Sequence, residues 1–165
     1  MTQYLWSEWR SEYVKHSSEP DGCFLCNAAG QVPSLETLVV YRGDSVVVLL
    51  NRYPYNPGHL LVCPVKHIGA LTELDPIDVA SVFYVVRHAV KIAEPLFRAH
   101  GWNIGINQGR AAGAGVPGHL HVHLVPRWEG DANFMPVVAD VKVVSQRLET
   151  LWAELRDEFE RFPPD

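Results

Sequence analysis

Three histidines, His119, His121 and His123, alternate with apolar residues in the segment GHLHVHLV. Imidazole is a nucleophile, a proton donor near neutral pH and a common metal ligand, so the row could serve catalysis or hold a metal ion. Alternate residues of a β-strand share one face, which predicts that the histidines line one face while the apolar residues between them pack in the core. Surface solubility alone does not call for three imidazoles, so we interpret the row as functional.

Strand geometry argues against a single ion held by all three histidines. Residues i and i+4 of a strand lie about 13 Å apart, so His119 and His123 cannot easily reach the same metal. The alternative is that the histidines divide the work. The loop GRAAGAGVPG, directly before His119, favours this alternative. Its small residues allow backbone N–H groups to surround an anion, which suggests a phosphate-bearing ligand.

A Cys-x-x-Cys pair, Cys23 and Cys26, lies in the turn-rich segment EPDGCFLCNAAGQVPS. Such a pair is half of a tetrahedral zinc site. Thioredoxin-type redox chemistry is the alternative, but it expects the motif within a βαβ unit, and two reduced cysteines packed among apolar residues are a third reading. Cys63 stands alone in an apolar run, and we interpret it as a buried core thiol.

The composition suits one globular domain of 165 residues with a formal net charge of -5. No overall basic field attracts nucleic acid, so phosphates would have to be bound locally. The chain has no apolar run near the roughly 18 residues of a membrane span, and the N-terminus lacks the apolar region of a signal peptide. We therefore expect a cytoplasmic protein that binds neither nucleic acid nor membrane.

Hydrophobic periodicity predicts mostly adjacent strands and few helices. A hairpin turns at residues 42–44, a strand covers 59–65, a long helix starts at Asp75-Pro76 and ends or kinks near Pro95, and further strands cover 103–108 and 119–125. An amphipathic helix lies within 140–161. This order predicts an α+β fold: an irregular lead (1–34), a core (35–137) and a C-terminal helical segment (138–165).

The segment 119–125 resembles the signature of the histidine triad (HIT) superfamily of nucleotidyl hydrolases and transferases. Segments 51–67 and 101–137, and the N-terminal LWSEWRSEYV, resemble its diadenosine tetraphosphate phosphorylase (ATP adenylyltransferase) branch. The resemblance implies a HIT-like antiparallel sheet of five to six strands, one long central helix and a C-terminal helix. It also implies a homodimer or a higher homo-oligomer.

The resemblance implies roles for individual residues. His121 would attack the α-phosphorus and carry the nucleotide covalently, and His123 would assist the leaving group. Water, inorganic phosphate or another nucleotide would then resolve the intermediate. The residues expected to bind the substrate are Asn51, His59, Asn107, Gln108, Gly113, Ala114, Gly115 and Val116.

The resemblance also implies a structural zinc ion. Some HIT proteins, and the related galactose-1-phosphate uridylyltransferases, bind zinc with two cysteines, a downstream histidine and the first histidine of the triad. The matching residues here are Cys23, Cys26, His67 and His119.

The function that follows is cleavage of a dinucleoside polyphosphate, such as diadenosine tetraphosphate, by phosphorolysis or hydrolysis. Two enzymes of the same family are alternatives: a phosphoramidate hydrolase and a sugar-phosphate nucleotidylyltransferase. A nucleotide-binding regulatory protein without catalysis is an alternative of another class, although such a protein would not need the central nucleophile.

Overall fold

The computed structural model describes residues 22–131 and 146–164. The N-terminal aromatic segment and the start of the predicted C-terminal segment, at 138–145, lie outside these residues. The elements, in chain order, are α1 (Phe24–Ala29), β1 (Val39–Arg42), β2 (Val46–Leu50), β3 (Leu60–Pro64), α2 (Pro76–Phe97), β4 (Gly101–Ile106), β5 (Val122–Arg127) and α3 (Leu148–Arg161).

The five strands form one antiparallel sheet in the order β1-β2-β3-β5-β4. This sheet, with its helices, confirms the predicted α+β fold. The last strand, β5, is inserted between β3 and β4, so that His123 lies between Leu61 of β3 and Gly105 of β4. The topology therefore places His123 in the interior of the sheet.

The two faces of the sheet pack against different parts of the chain. The first, called here the helix face, packs its Val and Leu side chains against α2 and α3, in a core that includes Val122 and Leu124. The second, called here the opposite face, packs Leu61 and Cys63 against α1. His123 is paired with Leu61 and therefore belongs to the opposite face.

Helix α2 begins where its capping residue predicts. The Asp75 carboxylate accepts the N–H groups of Ile77 and Asp78 at 2.9 and 2.8 Å, and Pro76 occupies the first helical position. Of the two predicted effects of Pro95, an end or a kink, the end near Glu94 was wrong, because the helix continues through Pro95 to Phe97. A proline removes a helical hydrogen bond, but burial of Phe97 in the core of the helix face stabilises the last turn.

The predicted irregular lead contains a short helix, α1, and the prediction was wrong for these residues. Leu25, Ala28 and Ala29 recur at helical spacing and are buried against the opposite face. The turn residues on both sides obscured this brief pattern. The Arg42 side chain donates to the carbonyl of Ala29, which satisfies an acceptor at the end of α1.

The C-terminal helix α3 buries Leu151, Leu155 and Phe159 against the helix face. Two of its polar side chains also bind the outer strand β1: the Trp152 indole donates to the Val39 carbonyl at 2.8 Å and Arg156 to the Val40 carbonyl at 3.2 Å. Helix α3 thus covers both the core and one edge of the sheet. Among the described helices, none combines the length and apolar character needed to cross a bilayer.

Candidate active site and metal centre

The three histidines do not form one regular strand face. Strand β5 begins at Val122, and the backbone before it bonds to loops: the N–H of His119 bonds to the Val116 carbonyl, and that of Leu120 to the Ile68 carbonyl. The predicted strand therefore starts three residues too early. As a result, His119 and His121 are buried within loops, while His123 occupies the strand itself.

His121 is held by the backbone of its own segment. Its Nδ1 atom lies 2.8 Å from the carbonyl oxygen of His119. A carbonyl only accepts, so Nδ1 carries the proton and Nε2 keeps its lone pair. Burial lowers the pKa of the His121 imidazole, against the opposing effect of the bond to His119. A neutral ring with a lone pair at Nε2 is the form that can act as a nucleophile.

His59 aligns His123 through a chain of hydrogen bonds. The Nδ1 atom of His59 accepts the backbone N–H of Tyr55 at 3.1 Å and faces the Asn51 amide nitrogen at 3.2 Å. The proton of a neutral His59 is therefore on Nε2, which lies 3.0 Å from Nδ1 of His123. His123 accepts this bond at Nδ1, which leaves its own proton on Nε2. The far nitrogen of His123 is thus a donor.

Aromatic stacking also holds His59 and His123 in place. The ring of Tyr55 stacks on His59 at a centroid distance of 4.8 Å and on His123 at 5.8 Å. The rings of His121 and His123 are 4.9 Å apart. Tyr55 stands four residues before His59 in the loop RYPYNPG, where no sequence pattern marks it as a site residue.

Two residues expected to bind substrate are engaged with the protein. His59 is fully buried, and both of its ring nitrogens have the partners described above. Asn51 accepts the N–H of Tyr53 through its Oδ1 atom, and its amide nitrogen faces His59. The structure thus places His59 next to His123 and Asn51 next to His59, and the polar atoms of both residues organise the loop 51–59.

A second cluster anchors this loop at Asn56. The Asn56 amide donates to the Pro126 carbonyl at 2.9 Å and to Asp131 at 2.8 Å. Asp131 also pairs with Arg127 through both carboxylate oxygens, and these bonds to the guanidinium hold the pKa of Asp131 well below its usual range. The loop that carries Tyr55 is therefore tied to the end of β5.

Several N–H groups of the glycine-rich loop bond to carbonyls of the loop itself. Residues Arg110–Ala112 form a short 3-10 turn, and the N–H groups of Ala112, Gly113 and Ala114 bond to carbonyls at positions 109 and 110. Within the described part of the chain, the N–H groups of Gly115 and Val116 make no such bond.

Some of the other residues expected to bind substrate in this region contact the protein itself. The Gln108 side chain accepts the N–H of Leu71 at 2.8 Å, and Asn107 stands beside it, half-buried, after the end of β4. Ala114 and Val116 are buried, and Val116 packs in the same core as Cys23.

Four potential metal ligands converge beside the histidines. One ligand atom from each of Cys23, Cys26, His67 and His119 lies within 4.8 Å of the other three. The Sγ atom of Cys26 is 3.0 Å from Nδ1 of His67, and Nδ1 of His119 is 3.3 and 3.4 Å from the two sulfurs. A tetrahedral zinc ion with bonds of about 2.0 and 2.3 Å separates its ligand atoms by roughly 3.3–3.8 Å. The cluster can therefore hold a metal ion.

The surroundings of His119 suit a metal ligand. Its Nε2 atom lies 2.8 Å from the Pro64 carbonyl, so Nε2 carries the proton and Nδ1 is left as the ligand atom. Burial also lowers the pKa of this imidazole, which favours the neutral form that binds metals. Cys63 packs in the same core as Cys23 but is not one of the four converging ligands, and burial raises the pKa of its thiol, as expected for a core residue.

The loop after β3 brings His67 to the cluster. A Cβ atom added at Gly69 would lie 2.8 Å from the Pro117 carbonyl, so glycine permits a close approach of the two backbones. The bond from Leu120 to Ile68 joins the same two segments. This contact brings the loops carrying His67 and His119 together, and it does not follow from any local sequence pattern.

Comparisons with known proteins identify the family. The family described as HIT domain matches residues 32–130. The AP-4-A phosphorylase of Mycobacterium tuberculosis is 37% identical over 173 aligned positions, which cover 98% of this chain and 86% of that protein. The asymmetrical bis(5'-nucleosyl)-tetraphosphatase of Schizosaccharomyces pombe is 39% identical over 93 positions, 56% of this chain and 50% of that protein.

A solved structure has the same fold. The crystal structure of a Zn-bound histidine triad family protein from Mycobacterium smegmatis superposes with a TM-score of 0.66 at 27% identity. The match covers 85% of this chain and 94% of that one.

Proposed function

Because the chain belongs to the HIT domain family, we propose that it cleaves dinucleoside polyphosphates at an α-phosphate through a nucleotide covalently bound to His121. The observation that supports this proposal most directly is the bond from Nδ1 of His121 to the His119 carbonyl. It leaves a lone pair on Nε2 of a buried, neutral ring, next to a second histidine that can donate a hydrogen bond.

In the first step, Nε2 of His121 attacks the α-phosphorus of diadenosine tetraphosphate. An N–P bond forms, the bond from phosphorus to the bridging oxygen breaks, and its electron pair departs with ATP. The His119 carbonyl stabilises the positive charge that the imidazole acquires, since Nδ1–H already donates to it. The product is adenylylated His121.

His123 assists the departing oxygen in this proposal. The hydrogen bond from His59 to Nδ1 of His123 directs the remaining proton to Nε2. The Nε2–H group donates a hydrogen bond to the leaving oxygen, so that ATP departs as an anion while His123 keeps its proton. His59 then acts through His123 and has no direct contact with the nucleotide.

Phosphate binding is assigned to the segment between β4 and His119. We propose that Asn107, Gln108 and the loop of Gly113, Ala114, Gly115 and Val116 lie against the phosphates. The N–H groups of Gly115 and Val116 are the favoured donors, since those of Gly113 and Ala114 bond within the loop.

In the second step, an oxygen of inorganic phosphate attacks the adenylyl phosphorus, the N–P bond breaks, and ADP leaves a regenerated His121. The AP-4-A phosphorylase, matched over 98% of this chain, supports phosphate as the acceptor. Water in the same position would give AMP.

We propose that the four-residue cluster binds a structural zinc ion. Cys23, Cys26, His67 and His119 supply two sulfurs and two nitrogens, which are the ligand types of a closed tetrahedral site. When bound, the ion crosslinks the lead segment, the loop after β3 and the triad. The Zn-bound histidine triad protein from Mycobacterium smegmatis supports this assignment.

Cysteine ligands that stay reduced also support a cytoplasmic location. A homodimer that continues the sheet through β4 is the assembly we favour, because α3 binds the other outer strand.

Product analysis tests the proposal. With diadenosine tetraphosphate and inorganic phosphate, we expect ADP and ATP in equal amounts, and little turnover when phosphate is absent. AMP and ATP, formed with or without phosphate, would instead identify a hydrolase. Release of ammonia from adenosine phosphoramidate, or nucleotidyl transfer to a sugar phosphate, without cleavage of the dinucleotide would favour one of the other HIT activities. Tight binding without turnover of any of them would indicate a regulatory protein.

Replacement of His59 by leucine is expected to lower kcat by roughly 10-fold to 100-fold with little change in KM, since a buried hydrogen bond of about 1–3 kcal/mol to His123 is lost. Glutamine can donate to His123 and accept from Tyr55, so His59→Gln should recover part of this loss. Steady-state kinetics of both variants measures the effect. A larger change in KM than in kcat would instead mean that His59 binds the nucleotide.

A further inference from the structure

Strand β4 contains a glycine, Gly105, that the protein itself does not require. Its φ angle is not among the positive values of the described glycines, so the backbone conformation is open to any residue. A Cβ atom built at Gly105 would meet no heavy atom within 4 Å in the described part of the chain. Glycine weakens the interior of a strand and often marks a place where a ligand or another backbone approaches closely.

Gly105 stands directly beside His123. The two residues are partners across β4 and β5, so their side-chain positions share the opposite face of the sheet. On the other side of His123, towards β3, the rings of His59 and Tyr55 lie at centroid distances of 5.2 and 5.8 Å. Among the described residues, aromatic rings therefore border His123 on the side of β3, and the side of β4 is open at Gly105.

We propose that Gly105 is a specificity-determining residue, which leaves room for the part of the substrate that departs past His123. The inference rests on the proposed function, in which His123 donates to the leaving oxygen. The leaving group then lies beside His123, and the open side is over Gly105. The group that fits is a bulky one attached through phosphate, such as the nucleoside triphosphate released from a dinucleoside tetraphosphate.

Substitution by valine tests this inference, and the strand provides a matched control. Gly101 lies four residues earlier on the same face of β4, about 13 Å away. A Cβ atom there also meets nothing within 4 Å. Valine favours strands, so neither Gly105→Val nor Gly101→Val should lower the thermal unfolding temperature.

For Gly105→Val, we expect kcat/KM for diadenosine tetraphosphate to fall by at least about 10-fold. AMP has no leaving group, so its affinity, measured by calorimetry, should change by less than about twofold. Gly101→Val should leave both quantities unchanged.

Three results would overturn the inference. Wild-type kinetics in Gly105→Val would mean that nothing passes over this position. An equal loss of AMP affinity would assign Gly105 to the attacked nucleotide instead. An altered oligomeric state by light scattering, with unchanged kinetics, would mean that a second copy of the chain approaches this glycine. The proposed function is tested separately by the wild-type protein, and its failure to cleave any dinucleoside polyphosphate would overturn both.

Discussion

Replacement of His121 by alanine is expected to lower kcat for diadenosine tetraphosphate by about 10⁴-fold to 10⁶-fold, as for the loss of other enzymatic nucleophiles. The ring is the only part removed, and its Nε2 atom forms the covalent bond in the proposed first step. The Nδ1 bond to the His119 carbonyl shows that the ring is held in place by backbone, so its loss should not disturb the sheet. AMP should therefore still bind.

Steady-state kinetics and calorimetry measure these two effects, and rapid quenching with radiolabelled substrate should trap a labelled protein only when His121 is present. His100→Ala is a suitable control, since the His100 side chain is exposed and, among the described residues, accepts only the backbone N–H of Glu129. Turnover within about 10-fold of the wild type in His121→Ala would exclude this histidine as the nucleophile.

Loss of the metal is expected to have the second largest effect, because the four proposed ligands join three separate segments of the chain. We expect one zinc ion per protein, and a ratio near zero in both Cys23→Ser and His67→Ala. A loss of roughly 3 kcal/mol of stability would lower Tm by about 6–12 °C in a chain of this size. Metal analysis and thermal unfolding measure both quantities.

The same loss should reduce catalysis. The carbonyl that orients His121 belongs to His119, so a displaced His119 would misplace the nucleophile and lower kcat by about 10-fold or more. Cys63→Ala is the matched control: it removes a buried cysteine of the same core outside the cluster, and its zinc content should not change. Unchanged metal content in Cys23→Ser, or wild-type protein without bound zinc, would refute the site.

The sequence predicted the elements better than the contacts between them. The cap at Asp75 and the strand pattern are local features, and the helix start and the sheet appeared where they were expected. The regular alternation of the three histidines suggested one strand face. The N–H of Leu120, however, bonds to the carbonyl of Ile68, 52 residues earlier, and β5 begins only after His121. No periodicity within the segment contains that information.

In the candidate site, too, local patterns predicted less than the contacts between distant segments determine. The convergence of Cys23 and Cys26 with His67 and His119 was expected from a family resemblance, because ligand spacing alone left three readings open. The part played by Tyr55 could not be derived, since it depends on a stack with His123, which is far away in the sequence. The proposed chemistry therefore rests on residue types, while loop packing decides which nitrogen of each histidine carries the proton.

The contact between helix α3 and strand β1 has a consequence for synthesis of the chain. The indole of Trp152 binds the Val39 carbonyl across 113 residues, so the outer strand is made long before the group that covers it. At 5–20 residues per second, the ribosome leaves this edge uncovered for roughly 6–23 s. An uncovered strand edge is a template for pairing with other chains, so this interval is when β1 is most exposed to aggregation.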